Sequence, residues 1–299
     1  MRDKNTGAWC SAVAGMLVLI VGATACGESP AREGSRPRKA TAQELALLDR
    51  GEEALVQRCM ARHGFRYRPA PPRTPDEQRD FPYVVDDPAW ARRHGYGGDL
   101  LRRAQRQRTE SPNASYVRRL SPERRQAYFN ALSGSGAKAL EVTVPVGAMV
   151  RQSSTGCIAE AQGRLYGDFR EWFRADTLAS NIPDHGDKLR SHPDFRTAVR
   201  QWSDCMRAKG LPYQSPAHLQ RELEERIAGA SVRRAHSIEV RLATAEAACA
   251  RSTSLAATVH RLTRHYALAD QDKYGSEIEA RDRMRLAALD RAGELAGRR

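Results

Sequence analysis

The chain has 299 residues, of which 28% are charged and 40% are hydrophobic, and its formal net charge is +13. This balance is typical of a globular protein and excludes an intrinsically disordered chain. The length allows one large domain or two domains of ordinary size.

The N-terminal segment has the pattern of an export signal. Arg2 and Lys4 form a positive start, and the apolar run 8–22 has the length of a signal core but is short for a membrane span. Three small residues, 23–25, then precede Cys26. An ordinary cleaved signal peptide followed by a chance cysteine is the alternative interpretation.

This ending resembles the lipobox of bacterial lipoproteins, in which small residues precede a cysteine that is acylated and becomes the N-terminus. The sequence departs from the pattern at Ala23, where that family most often has leucine. The resemblance implies that residues 1–25 are a lipoprotein signal peptide and that Cys26 carries a palmitate-type lipid. The protein is then expected at the extracytoplasmic face of the cell membrane, and the acyl chains are its only predicted membrane attachment, since no later run approaches 18 apolar residues.

Residues 26–42 are rich in glycine, serine, proline and charge, which predicts a flexible tether. A helix is predicted from Gln43 onward, because apolar residues recur at intervals of three, four and seven up to Met60. Gly64 stands where a glycine would end this helix.

The rest of the chain is predicted to be mainly helical. Helices are expected from Asp87-Pro88 to Gly95, from Ser121 through Leu132 and around Cys157 and Cys249, and almost throughout the last sixty residues or so. Residues 141–146 alternate like a strand, but they contain a proline and have no obvious partner, so little sheet is expected.

One ten-residue pattern occurs twice. RCMARHGFRY begins at Arg58 and DCMRAKGLPY at Asp204, and both place Cys-Met one turn before a glycine that an apolar residue and a tyrosine follow. The helix of the second copy is expected to begin in 191–193, with Ser191 as its cap. The repeat predicts two related units, 43–180 and 190–299. The alternative is that two unrelated helices converged on the same kind of ending and therefore share the sequence pattern.

After Cys26 the chain has four cysteines, Cys59, Cys157, Cys205 and Cys249. In an exported protein they are expected to form two disulfides, with three possible pairings. The pairs Cys59–Cys157 and Cys205–Cys249 would staple each unit separately, and each bridge would stabilise the fold by on the order of 4–5 kcal/mol. The crossed pairings would tie the units together. The predicted fold is therefore mainly α, with two disulfide-stapled helical units, long terminal helices and little sheet.

No catalytic, cofactor or metal site is recognised in the sequence, and the protein is predicted not to be an enzyme. The cysteines lack the Cys-x-x-Cys spacing of zinc and redox sites, and no phosphate loop, nucleophile elbow or His-Glu-x-x-His motif occurs. The nearest candidate is the loop 184–194, which could hold a cation or serve a hydrolase or could be a solvated turn. Its acidic and imidazole side chains are Asp184, His185, Asp187, His192 and Asp194.

Arginines are concentrated between residues 92 and 125, with Trp90, Tyr96 and Tyr116 among them. Such a patch could bind anionic envelope polymers or lipid headgroups. The alternative is a solvated face made basic by a coding bias toward arginine. Nucleic acid is not an expected partner outside the cytoplasm.

With these motifs, the chain is similar to a group of actinobacterial lipoproteins of unknown function. They carry a lipobox, segments of the form Trp-x-x-Cys-Met-x-x-x-Gly-apolar-x-Tyr, and later a helix with Ala-x-x-x-Cys. Residues Trp202–Tyr213 and Ala245–Cys249 fit these forms, and Cys59–Tyr67 fits without the tryptophan. The resemblance implies no activity or substrate. The expected function is non-enzymatic binding or scaffolding at the cell envelope, and the alternatives are a wall-acting hydrolase and an arginine-patch binder of anionic polymers.

Overall fold

The computed structural model describes residues 36–297, and the chain from Pro37 onward forms one compact unit. The predicted signal peptide, Cys26 and the first part of the predicted tether lie outside the described residues. Residues 36–41 are not helical, and Arg38 there pairs with Glu44 of the first helix at 2.6 Å. Within the described part of the chain, no helix is both long enough and apolar enough to cross a membrane.

Between residues 36 and 156, the structure contains five α-helices, two single-turn 3-10 helices (Asp76–Gln78 and Gly136–Lys138) and one small sheet. The helices are α1 (Ala42–Arg62), α2 (Pro88–His94), α3 (Gly98–Glu110), α4 (Pro112–Arg118) and α5 (Pro122–Ser133). The strands β1 (Ala139–Thr143) and β2 (Met149–Ser153) pair antiparallel, with Val142 opposite Val150. The strand-like stretch near 141–146 therefore has a partner strand that was not predicted.

The second half is helical from Cys157 onward, which confirms the mainly α prediction. Its helices are α6 (Cys157–Tyr166), α7 (Phe169–Ser180), α8 (Gly186–Ser191), α9 (Pro193–Ala208), α10 (Pro216–Ile227), α11 (Val232–Ser252), α12 (Leu255–Ala287) and α13 (Leu289–Gly297). The predicted cap of α9 was wrong. Ser191 ends α8, and His192 caps α9 because its Nδ1 accepts the Asp194 amide at 3.2 Å.

The first copy of the repeat is a helix ending closed by backbone hydrogen bonds. The Phe65 amide donates to the Met60 carbonyl, and the Gly64 amide donates to the Ala61 carbonyl, both at 3.0 Å. Gly64 has a φ of 74°, in the left-handed region that glycine enters without a side-chain clash.

The second copy closes α9 in the same way. Leu211 donates to Met206 at 3.0 Å and Gly210 donates to Arg207 at 2.9 Å, with a φ of 73° at Gly210. In this kind of ending, the apolar residue after the glycine packs on the residue that accepts its hydrogen bond. The repeated Met-x-x-x-Gly-apolar pattern is therefore the pattern of a glycine-terminated helix end.

The disulfides are Cys59–Cys157 and Cys205–Cys249, with Cα atoms 5.5 Å and 5.7 Å apart. This is the pairing that staples each predicted unit separately. The partner cysteines are placed differently, because Cys157 is the first residue of α6 whereas Cys249 lies in the last turn of α11. Each bridge belongs to its own hydrophobic cluster.

The two clusters nevertheless take side chains from both halves of the chain. Ala288 and Ala292 from the C-terminal end pack into the Cys59–Cys157 cluster, and Val84 from the first half packs into the Cys205–Cys249 cluster. The predicted units 43–180 and 190–299 are thus not separate in packing. Each half contributes side chains to the other half's cluster, and this packing joins the two halves into one compact unit.

Candidate ligand-binding pocket

Helix α2 packs against α11 through small residues, and this contact positions a pocket. Ala91 of α2 meets Ala243 and Ala247 of α11 in a third, smaller hydrophobic cluster. Gly95 ends α2 so close to α11 that a Cβ there would lie 2.5 Å from the Cβ of Glu239. This close approach places Tyr96 beside Glu246.

The pocket has a volume of about 850 Å³ and lies between the segment 71–85, helix α3 and the start of α10. Its walls are mainly aromatic and aliphatic. The side chains that form them include Phe81, Tyr83, Val85, Trp90, Leu100 and Leu101. Leu101 is 72% exposed and extends the apolar wall to the surface.

Glu246 forms the floor of the pocket and is only 1% exposed. The Tyr96 hydroxyl donates to one carboxyl oxygen, and the Val85 amide donates to the other at 3.4 Å. Burial raises the pKa of Glu246 to about 8, although both hydrogen bonds oppose the shift. Glu246 is therefore mostly protonated and uncharged at neutral pH, and the floor is polar without being charged.

The pocket wall is held in place by hydrogen bonds around His94. Its Nε2 lies 3.0 Å from Asp76 and its Nδ1 lies 2.9 Å from Asp99, so the ring links the segment before α2 to the first turn of α3. The Trp90 indole donates to the Asp76 carbonyl at 3.2 Å, and the Trp90 ring contacts Phe81 edge-on with centroids 4.9 Å apart. The aromatic wall is thus fixed before any ligand enters.

The acidic side chains at the pocket mouth are already engaged. Asp76 pairs with Arg93 at 3.0 Å in addition to His94, and the His94 hydrogen bond is the main cause that lowers the pKa of Asp76. Glu77 accepts the Thr74 amide at 2.7 Å and lies 3.8 Å from Arg103.

The arginines at the mouth differ from one another in their partners. Arg79 pairs with Asp87 at 3.2 Å and lies over the Phe81 ring. For the side chains of Arg73 and Arg221, no hydrogen bond or ion pair is found within residues 36–297. Burial raises the pKa of Asp49, and Arg73 partly opposes this rise because it is within electrostatic range of that carboxylate, but it makes no direct contact with it. The mouth therefore presents two guanidinium groups that no described side chain binds directly.

The loop 184–194 brings only one pair of its candidate residues together, since the His192 Nδ1 lies 4.0 Å from the Asp194 carboxylate. His185 pairs with Asp270 at 2.8 Å, and Asp194 pairs with Arg261 at 2.7 Å. Asp187 pairs with Arg190, and Asp184 accepts the Gly186 amide at 2.9 Å. These separate partners fit the solvated-turn interpretation.

One group of possible metal ligands, Cys59, His63 and Cys157, lies close together in the described part of the chain. Its two sulfurs form the Cys59–Cys157 disulfide and are not thiolates. The closeness of these residues therefore comes from the disulfide, and the sulfurs are not metal ligands in this state. All four paired cysteines are outside the lining of the pocket.

The arginines between 92 and 125 differ in their contacts. Arg124 covers the Phe65 ring at 4.5 Å and Arg118 donates to the Thr109 carbonyl at 2.6 Å. On α3, the described residues provide no hydrogen-bond or ion-pair partner for Arg102, Arg106 or Arg108. The free arginines of this stretch are therefore mainly those of α3, the helix that forms one wall of the pocket.

Glu246 was not predicted from the sequence, although a signal was present. Glu239, Leu242, Glu246 and Cys249 follow one another at intervals of three and four on α11, so two glutamates lie on its buried face. A carboxyl on an apolar stripe is costly to bury and often marks a functional site.

The fold and the pocket together define a mainly helical, disulfide-stapled protein with an aromatic-walled cavity and a buried carboxyl at its floor. Searches of protein-family models, of curated proteins and of solved structures find no match to this chain.

Proposed function

We propose that the protein is a non-enzymatic ligand-binding protein held at the extracytoplasmic face of the cell membrane by a lipid on Cys26. The observation that carries the binding role is the pocket of about 850 Å³, a volume usual for small-molecule sites. Aromatic walls and an uncharged floor suit a ligand with an apolar body. The lipobox pattern of residues 23–26 supports the location.

The side chains of the pocket favour binding over covalent chemistry. Among the described residues that line it there is no serine, threonine, cysteine or histidine, so acid–base or nucleophilic chemistry would fall mainly to its carboxyls. Asp76 and Glu77 are engaged by His94 and Arg103. Glu246, the buried carboxyl, already accepts two hydrogen bonds from the protein.

An uncharged aromatic probe tests the binding role. We expect 1-N-phenylnaphthylamine, whose emission rises in apolar surroundings, to bind the chain that lacks residues 1–26. Ala104 lines the pocket, so Ala104→Trp should fill it and weaken binding about tenfold or more. Gln105→Trp is the matched control, because Gln105 is exposed on the same helix and is not part of the lining.

Fluorescence titration of the three proteins decides the matter. Unchanged binding in Ala104→Trp, or no binding to the unsubstituted chain, would show that this pocket does not hold apolar ligands.

The anchor is tested separately in the full chain. We expect Cys26→Ala to move the protein from the membrane fraction to the soluble fraction, because the acylated residue is removed. Fractionation followed by immunodetection measures this, and retention of the variant in the membrane would contradict the lipid anchor.

A further inference from the structure

We propose that the ligand of this pocket is an amphiphile with one negative charge, whose apolar body lies in the pocket and whose anionic group is held at the mouth by Arg73 and Arg221. The inference rests on the proposed function, because it names the ligand class of the same pocket. It comes from the distribution of charge between mouth and floor.

Two guanidinium groups at the mouth have no direct side-chain partner among the described residues. Asp76 and Glu77 are engaged by His94, Arg93 and Arg103. The side chains of Arg73 and Arg221, in contrast, have no hydrogen-bond or ion-pair partner in the described chain. The two arginines belong to different elements, the segment before α2 and helix α10, and both line the pocket. A carboxylate, sulfonate or phosphate between them would accept charge-assisted hydrogen bonds from both sides.

The floor accepts an uncharged group only. Glu246 is 1% exposed and bonded to Tyr96, so an ionised ligand group beside it would lose its hydration next to an acid. Burial also keeps Glu246 protonated at neutral pH, which leaves no fixed charge at the floor to attract a cation. One end of the ligand is therefore charged and the other is not.

The walls between mouth and floor are apolar along their length. Phe81 and Trp90 line one side, and Leu100 and Leu101 line the other, with Leu101 reaching the surface. This arrangement matches an acyl or aromatic body that continues from the anionic group into the protein.

Two probes with the same aromatic body test the inference. Anilinonaphthalene sulfonate has one negative charge, and 1-N-phenylnaphthylamine is its uncharged counterpart. We expect the sulfonate to bind the chain that lacks residues 1–26 more tightly, and the double variant Arg73→Gln, Arg221→Gln to weaken sulfonate binding about tenfold. Binding of the uncharged probe should change less than about twofold, and added salt should weaken only the sulfonate complex.

A matched variant controls for the loss of two positive charges. Arg233 and Arg251 are exposed and lie outside the pocket lining, and their side chains have no hydrogen-bond or ion-pair partner in the described residues. The double variant Arg233→Gln, Arg251→Gln should leave the affinity for both probes unchanged. If it weakens sulfonate binding as much as the pocket variant does, the effect is long-range attraction and the inference is wrong.

The outcomes separate this inference from the proposed function. If both probes bind equally well, or if the Arg73 and Arg221 variant weakens both alike, the anionic ligand is ruled out while the apolar pocket stands. If neither probe binds, or if Ala104→Trp leaves both unaffected, the proposed function fails as well.

Competition shows which source of amphiphile the pocket takes. Decanoate should displace the uncharged probe at a lower concentration than decanol, since the two differ only in the charged group. Vesicles that contain phosphatidylglycerol test a membrane source. Displacement by decanoate or by these vesicles, beyond that given by decanol or by phosphatidylcholine vesicles, supports the inference, and its absence in both tests overturns it.

Discussion

Glu246 shows how a single buried side chain determines the character of a site. It lies on the inward face of α11 among small and apolar residues, and it takes a hydrogen bond from Tyr96, which is 150 positions earlier in the chain. Burial raises its pKa to about 8, so the carboxyl contributes a proton donor and no net charge at neutral pH.

The raised pKa of Glu246 predicts a dependence of stability on pH. The folded state holds this proton up to about pH 8, whereas an unfolded glutamate loses it near pH 4, so stability falls as the pH rises between these values. Glu246→Gln keeps the size and the hydrogen-bond acceptor but removes the titration. Between pH 5 and pH 8, the free energy of unfolding of the variant should rise relative to that of the original protein by about 3–4 kcal/mol.

Urea denaturation at several pH values measures this difference. Glu52, whose pKa burial raises to about 7, is present in both proteins and therefore cancels. Parallel stability profiles for the two proteins would show that Glu246 is ionised in the fold.

At the scale of single elements, local sequence determines most helix boundaries. Asp87 caps α2 with its carboxylate, and Ser121 caps α5 with its hydroxyl, both followed by proline as predicted. Helix α3 was not predicted, because it has only one buried residue, Leu100, and therefore gives no apolar period. Its arginines and glutamines have good helix propensity, a weaker signal than periodicity.

The repeated helix ending predicts a specific cost of substitution. Gly64 and Gly210 have left-handed φ values and nothing within 4 Å of an added Cβ, so alanine would meet backbone strain alone. Gly64→Ala and Gly210→Ala should each lower the free energy of unfolding by about 1 kcal/mol.

Gly136→Ala is the control, because Gly136 also has open space around it but no left-handed φ. It should stay within about 0.5 kcal/mol of the original protein in the same denaturation experiment. Equal effects at all three positions would show that the repeat does not depend on its glycine geometry.

On the scale of the whole molecule, the C-terminus stabilises the first helix. Helix α13 packs against α1 where Gly51 faces Ala292, and a Cβ at Gly51 would lie 3.0 Å from Ala292. The contact joins residues from opposite ends of the described chain and buries Ala292 completely.

Two neighbouring substitutions in α13 should have opposite effects. Ala292→Leu would overpack the contact with Gly51 and lower the free energy of unfolding by about 1–3 kcal/mol. Gly293→Ala has open space around it and improves helix propensity, so it should raise that free energy by up to about 1 kcal/mol. Thermal unfolding of both variants checks the pair, and two shifts of the same sign would contradict this packing.

The sequence by itself determined the features that depend on near neighbours. It predicted the mainly helical fold, the caps of α2 and α5 and the glycine ends at Gly64 and Gly210, because the hydrogen bonds concerned lie within a few residues. It also predicted that the four cysteines pair, although it left three pairings open.

The tertiary structure alone decided the rest, because it depends on contacts between distant residues. The pairing of Cys59 with Cys157 spans 98 positions, and the Val85 contact with Glu246 in the pocket spans 161. The packing of side chains from one half of the chain into the cluster of the other half likewise depends on which helix faces pack together. No periodicity along the chain encodes that choice, so the pocket could be located only in the folded protein.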